Sequence, residues 1–316
     1  MRVFNAEQTA KALPWRPLIE ALRLGLNDDV KAPLRHHHTV TIPGEKEGTL
    51  LLMPAWLEGA YLGLKQVLVV PDNTKRGLAS VAANYYLNNA VSGAPLAVID
   101  GNVLTHRRTA SVSALAADYL ARKDAKHLLI VGTGGLAPNL AKAHATVRNY
   151  HRISIWGRAF DKANALAQQL SNLAEFVQGV ESLTEAIQQA DVISTATLAE
   201  EPLVLGHHIR HGTHVDLVGA FTPAMRESDD ALMQLSTLFV DNREGAISEA
   251  GDIVQAINSG ALCAQPITAD ILELTGGQHQ GRSSEDEITV FKMVGCAQED
   301  LITARFLWES LSGLNI

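Results

Sequence analysis

The sequence predicts an α/β fold in which a parallel, doubly wound sheet is inserted into a mixed α+β domain. Three observations carry that expectation. From about residue 111 to 290, short apolar runs alternate with helical stretches, the pattern of parallel strands joined by crossover helices. Before residue 110, strand-like runs follow one another too quickly for crossovers, which points to antiparallel or mixed pairing. After residue 290, "EITVFKMVGCAQEDLITARFLWESL" starts with one strand and ends in a long helix, expected to pack back onto the first zone. The domains so drawn are 1–110 with 291–316, and 111–290.

Element by element, "PWRPLIEALRLGL" reads as an amphipathic helix with Leu18, Leu22 and Leu26 on one face. "TLLLMPAWL" and "KQVLVV" read as strands, and "NYYLNN" and "PLAVID" as two more joined by a turn at Ser92-Gly93. Lys65 opens "KQVLVV" and is expected to project from a strand end. Arg107 and Arg108 are expected just before an Ala- and Ser-rich helix. In the second zone "HLLIVG", "RISIWG", "DVISTAT", "THVDLVG" and "TLFVD" are strand candidates. "FDKANALAQQLS" and "LTEAIQQA" are helix candidates, with Asp161 read as an N-cap.

Composition limits the function. Apolar residues make up 47% and charged residues 19%, ordinary for a globular chain. The net charge of -8 argues against nucleic acid as a partner, because phosphate neutralisation needs a basic face. A small anion remains possible, since it needs only a local cluster of cations. No run approaches membrane-spanning length, the N-terminal stretch lacks a signal-peptide core, and the two cysteines suit a reducing compartment. A cytoplasmic location with no membrane partner is the expectation. The runs His36-His37-His38 and "GHHIRHGTH" are poorly spaced for ligation, so no metal is expected.

The chemistry begins with "LLIVGTGGLAP", residues 128–138. Gly132-x-Gly134-x-x-Ala137 follows an apolar strand and precedes a helix, the context of a dinucleotide-binding turn rather than of a turn that merely permits packing. Gly132 allows the tight turn, Gly134 lets a pyrophosphate approach, and Ala137 permits close helix–strand packing. Pro138 suits the first helical turn, whose N–H groups and dipole favour phosphate. At the end of the next strand, Gly157 and Arg158 stand where an NAD site usually has an acid. Arg158 suits a 2′-phosphate, which favours NADPH over NADH; its other reading is a solvated loop cation. Ser194, Thr195 and Thr197 are candidate polar contacts at the end of "DVISTAT".

Along nearly its whole length the chain resembles the ornithine cyclodeaminase/mu-crystallin family. The matching segments include "GTLLLMPAW", "NTKRGL", "PLAVIDGNVLTHRRTASVSALAADYL", "GTGGLAP", "HVDLVGAFTPAMRE", "VDNREGAISEAGD" and "EDEITVFKMVGCAQEDL". The resemblance implies a Rossmann domain inserted into a substrate-binding and dimerisation domain, and a homodimer. It also implies a substrate carboxylate on Arg35, Lys65 and Arg108, with Ser80 at a hydroxyl-bearing pocket position. Lys65 and Arg108 are the candidate catalytic residues. The cofactor is expected on Gly132, Thr133, Gly134, Gly135, Leu136, Ala137, Arg158, Thr195, Ala196, Thr197, Val218 and Gly219.

Two departures separate the chain from the cyclodeaminases within that family. They carry an acid directly before "LMP" and an Asp shortly after "VG"; here these positions are Leu51 and Phe221. Phe221 cannot hold an ammonium by charge and instead offers an apolar wall to ring methylenes. The expected activity is therefore NAD(P)H-dependent reduction of a cyclic imino acid, Δ1-pyrroline-2-carboxylate to L-proline or Δ1-piperideine-2-carboxylate to L-pipecolate. The alternatives, in order, are reductive amination as in alanine dehydrogenase, ornithine cyclodeamination, and a non-enzymatic NADPH-binding role.

Overall fold

A computed structural model describes residues 1–312 and divides into two compact units. The first contains Met1–Arg108 and the C-terminal segment from Cys296; the second is Thr109–Gly295.

The first unit is built on a seven-stranded sheet: β1 (Arg2–Phe4), β2 (Val30–Lys31), β3 (His36–Val40), β4 (Gly48–Leu57), β5 (Tyr61–Val69), β6 (Val81–Asn89) and β7 (Pro95–Asp100). The order is β1-β7-β6-β5-β4-β2, with β3 also on β4; every pair is antiparallel except β1 with β7. Because side chains alternate along a strand, the register decides what is buried. Met53, Lys65, Tyr85 and Ile99 are paired in one row across β4 to β7, and all four are buried. The helix Ala297–Ser312 packs against β4, β5 and β6. The next row, Pro54, Leu64, Tyr86 and Val98, points to the opposite face and is half-buried.

The helix Trp15–Gly25 forms as its periodicity predicts, burying Leu18, Ile19, Leu22 and Gly25. A Cβ on Gly25 would lie 2.8 Å from Ile302 Cγ2, so the glycine sets how closely the terminal helix approaches.

The second unit holds an eight-stranded, all-parallel sheet. Its strands are β8 (His127–Val131), β9 (Arg152–Trp156), β10 (Phe176–Val180), β11 (Val192–Thr195), β12 (His214–Leu217), β13 (Thr237–Val240), β14 (Ala269–Asp270) and β15 (Thr289–Lys292). The order β10-β9-β8-β11-β12-β15-β13-β14 turns back between β8 and β11, which makes this a Rossmann domain with its switch point there. Central strands β8, β11 and β12 are buried along their whole length; β8 accordingly reads as a nearly continuous apolar run, while β11 and β12 also bury Ser194, Thr195, His214 and Asp216.

Two boundaries differ from expectation. β15 pairs between β12 and β13, so residues 291–295 lie with the parallel sheet and not with the terminal helix. Asp161 falls inside the first turn of the helix Phe160–Gln169, whose N-cap is Ala159. There the carboxylate meets the helix dipole and makes no cap.

Candidate active site

In the first unit the sheet brings a lysine under the terminal helix. Lys65 sits mid-strand in β5, not at a strand end, because the strand begins at Tyr61. Its row faces the interior, so the ammonium is 2% exposed. Lys65 Nζ lies 2.7 Å from Asp300 Oδ2. Arg108 is likewise buried, and it lies within the helix Gly101–Leu120 rather than before it. Its Nε donates to Asp300 Oδ1 at 2.9 Å and its Nη1 to Glu299 Oε2 at 2.8 Å. Arg107, one position away, points elsewhere and stacks its guanidinium 4.1 Å above the Trp15 ring.

Arg35, half-buried just before β3, is close enough to Lys65 for its charge to act there. Burial lowers the Lys65 pKa to about 8; Asp300 opposes that fall, and Arg108 and Arg35 add to it. The structure thus gathers Arg35, Lys65 and Arg108 into one charged cluster, in which Asp300 holds Lys65 and Arg108 and Glu299 holds Arg108. Those acids were missed in the sequence, although "QED" at the start of the terminal helix was the signal. An acidic pair in a first turn ordinarily reads as a dipole complement facing water. Ser80 is half-buried just before β6, and its carbonyl accepts from Val70 N–H. Leu51, half-buried on β4, pairs with His37 and Val67.

In the second unit the glycine turn follows β8 at the switch point. Gly132 has φ 130°, and a Cβ there would lie 2.7 Å from the Ala196 carbonyl oxygen, so both conformation and space demand glycine. Gly157 is closed by Thr133, whose Cγ2 would be 2.6 Å from a Cβ. Gly134 differs: a Cβ there would meet nothing within 4 Å. Among the described residues, the N–H groups of Thr133, Gly134 and Gly135 have no backbone or side-chain acceptor. Ala137, buried at the start of the helix Ala137–Val147, donates its own N–H to Gly134, and Leu136 is the N-cap.

A cleft of about 550 Å³ opens here, lined by Gly132, Thr133, Gly134, Trp156, Gly157, Arg158, Ala196, Thr197 and the loop running on to Leu203. Open space beside Gly134, unused N–H donors and a helix N-terminus fit a dinucleotide pyrophosphate. Arg158 lines the cleft, and so do Glu200 and Glu201, two exposed acids that the sequence had not singled out.

Of the hydroxyls at the end of "DVISTAT", Thr197 lines the cleft, whereas those of Ser194 and Thr195 turn away from it inside β11. Ser194 and Thr195 are fully buried. Ser194 Oγ donates to Asp216 Oδ2 at 2.6 Å, and Thr195 Oγ1 to Glu227 Oε2 at 2.7 Å. Glu227 also accepts from Gly219 N–H at 2.7 Å, and from the N–H and hydroxyl of Thr197 at 2.7 and 2.8 Å. A buried carboxylate therefore ties the strand ends of β11 and β12 together. Burial raises its pKa, which the charge of Lys292 opposes. Val218 donates its N–H to Thr195, and a Cβ on Gly219 would sit 2.1 Å from the Thr197 carbonyl oxygen. Neither Val218 nor Gly219 is among the residues that line the cleft. Phe221 is exposed on the loop that follows.

The model of the ornithine cyclodeaminase/mu-crystallin family matches residues 10–315. The chain belongs to that family. A Δ1-pyrroline-2-carboxylate reductase of Paracoccus denitrificans is 39% identical, over 95% of this chain and 94% of that protein. The structure of the Thermococcus litoralis Δ1-pyrroline-2-carboxylate reductase, in complex with NADH and L-proline, matches with a TM-score of 0.92. It is 35% identical and covers 99% of this chain and 98% of that one. An archaeal alanine dehydrogenase dimer with bound NAD matches at a TM-score of 0.89 and 27% identity, over 99% and 97%. The family match spans both units, so the glycine-turn cleft and the cation cluster are both family territory.

Proposed function

We propose that this family member is an NAD(P)H-dependent reductase of a cyclic imino acid, with Δ1-pyrroline-2-carboxylate as substrate and L-proline as product. The observation that carries the reading is the cluster of buried Lys65 and Arg108 with half-buried Arg35, a set of cations that suits a carboxylate. The similar Thermococcus protein, solved with NADH and L-proline, supports the choice of ring and reaction. When bound, the reduced nicotinamide supplies a hydride to the C=N carbon. The three cations fix the carboxylate, and so the face of the ring that is presented. The imine nitrogen needs a proton to become a good acceptor, and Lys65, with a pKa of about 8, holds one at neutral pH.

The glycine turn and the N–H groups of Thr133, Gly134 and Gly135 hold the pyrophosphate, and Arg158 favours the 2′-phosphate of NADPH, with NADH also accepted. Phe221 in place of an acid removes the charge that amino-group chemistry would use. The protein acts as a homodimer: Leu52, Pro54, Trp56 and Leu64 leave one face of the first sheet apolar and half-exposed. The archaeal relative's dimer supports that assembly. The location is cytoplasmic, which suits cysteines that form no disulfide; no helix among the described residues is long and apolar enough to cross a membrane.

The test is a spectrophotometric assay of Δ1-pyrroline-2-carboxylate, Δ1-piperideine-2-carboxylate and pyruvate with ammonia, each with NADPH and NADH. The cyclic imines are expected to turn over faster by a wide margin. Faster oxidation with pyruvate and ammonia would replace this reading by an alanine dehydrogenase-type one. Proline formed from ornithine without added reductant would restore the cyclodeaminase.

A further inference from the structure

The reductase reading leaves two fully buried carboxylates without a role. Glu299 and Asp300 open the terminal helix, and neither reaches solvent. Taking a carboxylate out of water costs several kcal/mol even after relaxation, and apolar side chains pack a sheet face at no such cost. Both acids nevertheless converge on the proposed substrate cations. Asp300 divides its two oxygens between them, Oδ2 to Lys65 at 2.7 Å and Oδ1 to Arg108 Nε at 2.9 Å. Glu299 takes Nη1 of the same arginine at 2.8 Å.

We propose that Asp300 is a positioning residue: it bridges Lys65 and Arg108 so that both present their charge to one carboxylate, and with Glu299 it leaves the cluster one net positive charge, matched to a monocarboxylate. The proposal rests on the reductase reading for the identity of the substrate, but the bridge itself is geometric. The groups acting on Lys65 are Asp300 from the terminal helix, Arg108 from the helix Gly101–Leu120 and Arg35 from the segment before β3; Tyr85 of β6 is its cross-strand neighbour. Tyr85 stays neutral, since burial raises its pKa well above the ordinary value. Arg108, Arg35 and burial all drive the proton off Lys65, and Asp300 opposes them. Without the bridge, Lys65 loses its charge and Arg108 loses the acceptor that aims its Nε edge.

Asp300→Asn keeps the shape and removes the charge. In the holoenzyme, turnover of Δ1-pyrroline-2-carboxylate is followed between about pH 6 and 10. The basic limb of kcat/KM is expected to move toward acid by about one to three pH units, with kcat at neutral pH down at least about tenfold and dinucleotide affinity unchanged. Calorimetric binding of pyrrole-2-carboxylate over the same range reads the same titration without turnover. A binding limb that moves while the wild type fails to reduce the imine would sink the reductase reading and leave the bridge standing. A limb that stays put in both measurements, with activity reduced equally at all pH values, would overturn the bridge. Asp300→Glu serves if the amide variant does not fold. It is expected to keep the limb and raise KM, because the longer arm displaces one cation; wild-type KM and kcat in that variant would also overturn the proposal.

Discussion

Lys65 Nζ and Asp300 Oδ2 stand 2.7 Å apart where neither side chain is more than 2% exposed. A lysine so enclosed gives up its proton early, and the pKa of about 8 puts that loss within the working range of an enzyme assay. The wild-type kcat/KM for the cyclic imine is therefore expected to be level below about pH 8 and to fall about tenfold per unit above it. A Lys65→Met variant should lose the limb along with most of the activity. The same depression has a sign for stability. Lys65 holds its proton less tightly in the folded protein than in the unfolded chain, so its contribution is present above the ordinary lysine pKa and is lost as pH falls through about 8. Urea midpoints of wild type and Lys65→Met, compared across that window, should converge at high pH.

Removing Arg108 takes one partner from each of two buried carboxylates. Arg108→Ala is expected to lower kcat/KM by about two to three orders of magnitude, and to destabilise the fold by about 3–5 kcal/mol, as losing one partner of a buried pair does. Dinucleotide affinity, measured by fluorescence titration, should remain within about twofold. A large fall in that affinity would move Arg108 out of the substrate cluster.

Glu227 accepts at both oxygens, so an amide in its place must turn a donor toward donors. Glu227→Gln is expected to destabilise the protein by about 2–4 kcal/mol and to weaken dinucleotide binding, since Thr197 and Gly219 lose their shared acceptor. Thermal melts with and without NADPH separate the two effects: the shift on adding cofactor should shrink as well as the starting midpoint.

Arg158 shares its cleft with Glu200 and Glu201. Arg158→Ala is expected to raise KM for NADPH about tenfold or more while leaving KM for NADH nearly unchanged. The double substitution of Glu200 and Glu201 to Gln should shift preference further toward NADPH, by removing charge that repels the 2′-phosphate. Equal effects on both cofactors would assign Arg158 to the pyrophosphate.

The parallel sheet was legible because buried strands write themselves as apolar runs. Gly132 was legible because a tight turn at a strand end tolerates few residues, and Gly134 and Ala137 because their spacing from it repeats the dinucleotide-binding pattern. Arg35, Lys65 and Arg108 were found through the family resemblance, which names the residues but not their surroundings. Thr195 was misread because a hydroxyl at a strand end looks the same in sequence whether it faces a crevice or a buried carboxylate.

By itself, then, the sequence determined the strand–helix alternation, the glycine turn and the family, all properties of local pattern and spacing. Tertiary structure decided the partners of the charges. Asp300 is 235 positions from Lys65 and 192 from Arg108, and the β4–β7 register with the terminal helix laid across it brings them together. Pairing of that kind depends on which face of a strand is buried and what covers it, and spacing along the chain holds no record of either.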